Sequence, residues 1–223
     1  MRILPCLLLS LAIISPAPGG SGEEIEGLIA AYYRDRPAPD ETVQALVKLM
    51  EEAPEDPAIP KAFAFLIKHG GVSPGSDYDM DEAFLNRLEK FHRDNDQLAA
   101  ALSSMIGFRE DEVIAFFERL GENSESDLVS GTALLALASS FEHDRKAIDR
   151  YNKILKKLIA KHPDLKIGRR NVTAYAKQKL FASENLRIGM VAPEVEGEDA
   201  EGKQFRLSDY RGKVVFFNFW GDW

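Results

Sequence analysis

Between Glu23 and Leu186 apolar residues recur at spacings of three and four, and glycine, proline or aspartate interrupts the pattern at short intervals. A period of roughly 3.6 residues in pieces this short commits the chain to a set of short helices, each burying one stripe; a sheet-based body would need sustained alternation instead. The first predicted helix has a face of Ile25, Leu28, Ile29 and Tyr32. The second runs over 40–50, with Asp40 as N-cap, Val43, Leu46, Val47 and Met50 as its face, the Pro37 and Pro39 pair as the break before it, and Pro54 and Pro57 after it. Further helices are predicted over 58–69 (stopped by Gly70 and Gly71), 79–91, 98–106, 110–120 (stopped by Gly121), 127–141, 144–161 and 170–181. Brief connections leave each helix nowhere to go but alongside its predecessor, so an array of helix pairs is expected. Residues 131–163 loosely resemble one tetratricopeptide unit, with Ala136, Ala147, Tyr151 and Pro163 at ends and crossings, but no second copy follows at that period. The expectation is therefore an irregular α-helical domain over 23–185, with a true repeat solenoid as the alternative.

Three features inside this region look like sites. Asp77, Asp79 and Asp81 have calcium-loop spacing, but Glu82 stands where the glycine belongs and Leu88 where the closing glutamate belongs, so a helix-capping role is expected instead. His69, His92, His143 and His162 lie near helix ends without paired ligand spacing and read as structural. Asn171, Val172 and Thr173 form a glycosylation sequon, which matters only in an organism that glycosylates. No metal and no cofactor is expected. Against 28 lysines plus arginines stand 36 aspartates plus glutamates, a formal charge of −8 that argues against nucleic acid as a partner.

Residues 1–22 read as a secretory signal peptide: Arg2, an apolar run from Leu7 to Ile14, then small residues and prolines, with cleavage placed between Ala17 and Gly22. The run is too short to span a bilayer, so the product is expected to be secreted or periplasmic, with no membrane contact after cleavage. A short uncleaved anchor is the alternative; lipidation of Cys6 is disfavoured because the apolar run follows the cysteine. Cys6 is the single cysteine, so a chain without its leader has no thiol for a disulfide, a thiolate metal site or a nucleophile.

After Leu186 the character changes. Gly189, Pro193, Gly197 and Gly202 punctuate short segments, and 203–207 alternate polar and apolar as one arm of a hairpin. A turn over 208–212 leads to Val214, Val215, Phe216, Phe217, Asn218, Phe219 and Trp220, a run suited to a strand covered on both faces. The order and spacing of Gly189 to Pro193, Gly202, Leu207 to Lys213 (with Gly212 and Lys213) and Phe219 to Trp223 resemble the opening of a redoxin, in particular the secreted thioredoxin-like proteins of the TlpA and ResA type, which overlap the alkyl hydroperoxide reductase and thiol-specific antioxidant family. The resemblance covers about 38 of 223 residues and says nothing of the helices.

That resemblance implies a mainly α chain ending in the first β elements of an incomplete thioredoxin-like α/β domain, 186–223. It implies thiol-disulfide exchange or peroxide reduction, with a thiol, disulfide or peroxide as substrate. The family's nucleophilic cysteine of Cys-x-x-Cys falls one residue beyond Trp223, where a helix N-terminus stabilises its thiolate, so no catalytic residue lies within the chain and Trp220 and Trp223 would flank the active site. Their bland alternative is that of aromatic core residues at a strand end. Three accounts of the end at Trp223 compete: a UGA codon decoded as selenocysteine, a broken gene or incomplete sequence, and a genuine short protein with a vestigial tail. The helical domain is expected either to bind partner proteins or to act as a spacer. A non-enzymatic helical interaction module is the rival function.

Overall fold

The structure, a computed structural model, describes residues 20–35, 39–69 and 80–218. It is mainly α. The helices are α1 (Ser21–Asp35), α2 (Pro39–Glu52), α3 (Ile59–Lys68), α4 (Glu82–His92), α5 (Leu98–Ser104), α6 (Asp111–Asn123), α7 (Asp127–Phe141), α8 (Ile148–Lys161) and α9 (Val172–Asn185). Two antiparallel two-stranded ribbons complete it, β1 (Lys166–Ile167) with β2 (Arg170–Asn171) and β3 (Glu196–Glu198) with β4 (Gln204–Arg206).

Each predicted helix forms, and the differences have local causes. The leader proposed over 1–22 lies outside the described residues except for 20–22, and Ser21 already opens α1. Helix α2 begins at Pro39, one residue ahead of the predicted cap Asp40, because proline lacks only an amide that the first turn leaves unpaired. Asp77 and Asp79 lie outside the described residues, while Asp81 caps α4, its carboxylate accepting from the Phe84 amide at 2.7 Å. Gly121 does not stop α6: the helix continues to Asn123, and Gly121 sits where a Cβ would come within 2.8 Å of Leu134 Cδ2. Over 144–161 the helix divides, Asp144 capping a 3₁₀ turn at Arg145–Ala147 before α8 begins.

Helix α7 is the centre of the body. Eleven of its fifteen residues are buried, from Val129 to Ser140, because α5, α6 and α8 all pack on it. A helix enclosed in this way needs apolar or small residues all round rather than one stripe, as the sequence from Leu128 to Phe141 supplies. Around it one core cluster runs from Ile25 and Leu46 through Phe63, Leu85, Leu102, Phe116 and Phe117 to Leu158 and Ala176. Among the described residues no helix is long and apolar enough to cross a membrane.

Of the strand predicted over 214–220, residues 219 and 220 lie outside the described residues; over 214–218 no strand forms, and Val214 and Phe216 are about fully exposed, at 102% and 90%.

Candidate functional site

The motif residues of the last segment are organised by the β3–β4 ribbon. Its register pairs Glu196 with Arg206, Gly197 with Phe205 and Glu198 with Gln204. Gly197 and Phe205 share the half-covered face, and a Cβ at Gly197 would press to 3.2 Å from the Phe205 ring, so the glycine is what admits the aromatic. The turn is closed by Asp199, whose carboxylate accepts from the Glu201 and Lys203 amides at 3.1 and 2.8 Å. Gly202 completes it at φ +79°, a conformation that β-carbon sterics deny to most residues.

Beyond β4, Asp209 accepts from the Arg206 amide at 2.9 Å and starts the 3₁₀ turn Leu207–Tyr210. Gly212, at φ +81°, then turns the chain, and Lys213 Nζ stands 5.9 Å from the Tyr210 ring centre. Gly189, at φ +92°, and the half-buried Pro193 precede β3. Glu194, which sequence reasoning missed, joins the two motif pieces: its carboxylate accepts from the Ser208 amide at 3.0 Å, while the Leu207 amide donates to the Val195 carbonyl at 2.9 Å. Hydrogen bonds from Ser208, side chain first and then backbone, hold the Glu194 carboxyl below its ordinary value. The only signal for Glu194 was its place beside Pro193. Trp220 and Trp223 lie outside the described residues.

This ribbon is scaffolding: it aligns backbone and carries carboxylates, a lysine and a tyrosine, with no thiol, since the single cysteine is Cys6. It fixes the approach of the chain to 214–218.

A second polar constellation lies inside the helical body. Ser130 Oγ donates to the Gly121 carbonyl at 2.9 Å and accepts from Lys161 Nζ at 2.9 Å. His162 Nε2 lies 3.1 Å from the same oxygen, and Nδ1 lies 3.1 Å from Asp127 Oδ1, though out of hydrogen-bond alignment. The order aspartate, histidine, serine is that of a hydrolytic relay. Ser130 is fully buried, however, and its proton is committed to a backbone carbonyl, so no substrate carbonyl can reach it. The cluster is a joint: Lys161 covers the last carbonyls of α6, and Thr173 Oγ1 donates to the His162 carbonyl at 2.6 Å while accepting from the Leu165 amide at 3.0 Å. The sequon is consumed here too, since Asn171 caps α9 by accepting from the Ala174 amide at 2.8 Å. His92 is likewise structural, buried with Nε2 2.6 Å from the Pro54 carbonyl, and His69 bonds the Tyr33 hydroxyl at 3.0 Å. Burial is the largest influence on both His92 and His162 and lowers both pKa values.

No family model matches the chain, and no solved structure does. Among curated proteins it is similar to the thiol-disulfide oxidoreductase ResA of Geobacillus thermodenitrificans (strain NG80-2), 56% identical over 38 residues, which is 17% of this chain and 22% of the relative. The ResA proteins of Bacillus anthracis (49% over 47 residues, 21% of this chain and 27% of the relative) and Bacillus subtilis (strain 168; 50% over 40 residues, 18% and 22%) are similar as well. The chain thus spans about a quarter of the length of the curated relatives it matches. Over that stretch the relationship is to redoxins of the thiol-disulfide oxidoreductase kind.

Proposed function

We propose that this chain belongs to an extracytoplasmic redoxin, a thiol-disulfide oxidoreductase or peroxide reductase, whose catalytic domain begins at Leu186 and whose helical domain, 23–185, presents it to partner proteins. The observation that carries the reading is the match to a ResA protein over 38 residues at 56% identity. The β3–β4 ribbon supports it, because Gly189, Pro193, Gly202, Gly212 and Lys213 fall at its turns and approaches, where the family resemblance needs them. The leader-like start of the sequence supports export.

The reacting group in this reading lies one residue beyond Trp223 and is a thiolate or selenolate. It attacks one sulfur of the substrate disulfide, expels the other as a thiolate, and forms a mixed disulfide, or a selenenyl sulfide where the attacking atom is selenium, that the second cysteine of the motif resolves. Trp220 and Trp223 would flank that group.

The test is to read the gene through the codon after Trp223 and on through the length of a redoxin domain, then to assay insulin reduction by the 223-residue chain carrying Cys6→Ser and by the extended chain. Resumption of frame with x-x-Cys, no turnover by the shorter chain, and turnover by the longer one that is lost when the residue after Trp223 becomes Ala is the expected result. A downstream frame without a redoxin remainder, or an inactive extended chain, overturns the proposal.

A further inference from the structure

Where α7 and α9 end and α8 begins, the surface is concave. One groove of about 690 Å³ is lined by Arg145, Ile148 and residues 186–190; an adjoining one of about 490 Å³ shares Arg145, Ile148 and Arg187 and adds Glu142, Tyr151 and Lys179. Its electrostatics differ from those of the whole chain. Of the carboxylates there, Glu142 is already paired with Lys179 and Asp144 already receives the Lys146 amide of the 3₁₀ turn. Burial, then the Glu142 charge, push the Tyr151 phenol up to about 12, so it adds no negative charge. Arg145 and Arg187 are exposed, and among the described residues neither side chain has an acidic partner. Two uncommitted guanidinium groups thus share one groove on a chain of net charge −8.

The groove is also apolar. Ile148 is half-buried in its floor, and Leu186, Ile188 and Met190 stand along its wall at 59%, 101% and 43% exposure. In the described helical body the exposed large apolar side chains, Tyr33, Phe91, Ile106 and Phe181, fall one each on α1, α4, the turn after α5 and α9, whereas Leu186, Ile188 and Met190 stand together beside two arginines, with exposure continuing at Val191 and Val195. A small ligand is usually enclosed over most of its surface, which walls this exposed cannot do. An extended polypeptide needs only one side covered.

We infer that this groove binds an extended acidic segment of a partner protein, with carboxylates on Arg145 and Arg187 and an apolar side chain between Ile148 and Ile188. Charge complementarity selects the occupant, because guanidinium pairs carboxylates in fixed fork geometry and a basic segment would meet a groove in which Arg145, Lys179 and Arg187 outnumber Glu142 and Asp144. The inference names the surface for the partner-presenting role proposed above, yet its test reads binding and needs no thiol, so either can fail alone.

The probe is a short fluorescein-labelled peptide of alternating glutamate and leucine, titrated by anisotropy against the full 223-residue chain, beside lysine–leucine and glutamate–serine peptides of equal length. The glutamate–leucine peptide is expected to bind, and the Arg145→Glu/Arg187→Glu chain to bind it about tenfold or more weakly. Ile188→Ser is expected to weaken the same peptide while leaving the glutamate–serine peptide unchanged. All three positions are exposed, so circular dichroism and melting of the variants should match the parent. Equal affinity for the lysine–leucine peptide, an unaltered double variant, indifference to Ile188→Ser or no peptide binding at all overturns the inference.

Discussion

At Gly131 the absence of a side chain is what lets the turn after α8 close onto α7: a Cβ there would come within 2.1 Å of Leu165 Cδ2 and 3.4 Å of His162 Cδ2. Gly131→Ala is therefore expected to destabilise by about 1–2 kcal/mol, overpacking outweighing the gain in helix propensity. The same change made in a Leu165→Ala chain should cost less, so urea unfolding of the four members of the cycle checks the coupling directly. Thr173 carries a different burden, since it is buried and pairs both the His162 carbonyl and the Leu165 amide. Thr173→Val leaves both backbone groups without that hydroxyl and should cost about 2 kcal/mol, read as a lower urea midpoint at unchanged slope. Neither residue announced its role in the sequence: Gly131 stood only at the start of the tetratricopeptide-like stretch, and Thr173 only as part of a sequon.

Elements were more legible than their joints. The periodicity marked α1 to α9 because stripes such as Leu85, Leu88 and His92, or Tyr151, Ile154, Leu155 and Leu158, bury one helix face. It missed the β1–β2 ribbon, whose two-residue strands are too short for any alternation to register, and it mistook Gly121 for a terminator because close approach of Leu134 cannot be read from one strand of sequence. The β3–β4 ribbon was legible through Gly202 and the alternation after it, whereas the Glu194–Ser208 clamp depends on the folded turn. Gly202→Ala forces a β-carbon into φ +79° and is expected to weaken the ribbon by about 1 kcal/mol. Hydrogen exchange should then quicken at the ladder amides from Glu196 to Leu207, with the amides of α7 unaffected.

Across the whole molecule, stability should follow the two buried histidines. His92 and His162 both have lowered pKa values in the folded state, so the unfolded chain takes up protons first as pH falls. The stabilisation is full above the unfolded histidine pKa of about 6.5 and declines as pH drops from there toward the folded values, by at most about 2.7 kcal/mol per pH unit for the pair. Urea midpoints between pH 8 and pH 5.5 measure it, and a chain carrying His92→Gln and His162→Gln should lose that slope. The joint around His162 links α6, α7, α8 and the start of α9, so the effect is expected as a single cooperative transition of the helical body.

The open wall of Leu186, Ile188 and Met190, with the exposed Val191 after it, has a further meaning for the life of the molecule in solution. Proteases need an accessible stretch of backbone that fits an active-site cleft, and α9 ends just before this one. Trypsin should nick first after Arg187 and leave a durable helical fragment, and the acidic peptide, if seated against Arg187, should slow that cut. The position of the first scission thus reports at once where folded protection ends and whether the groove is filled.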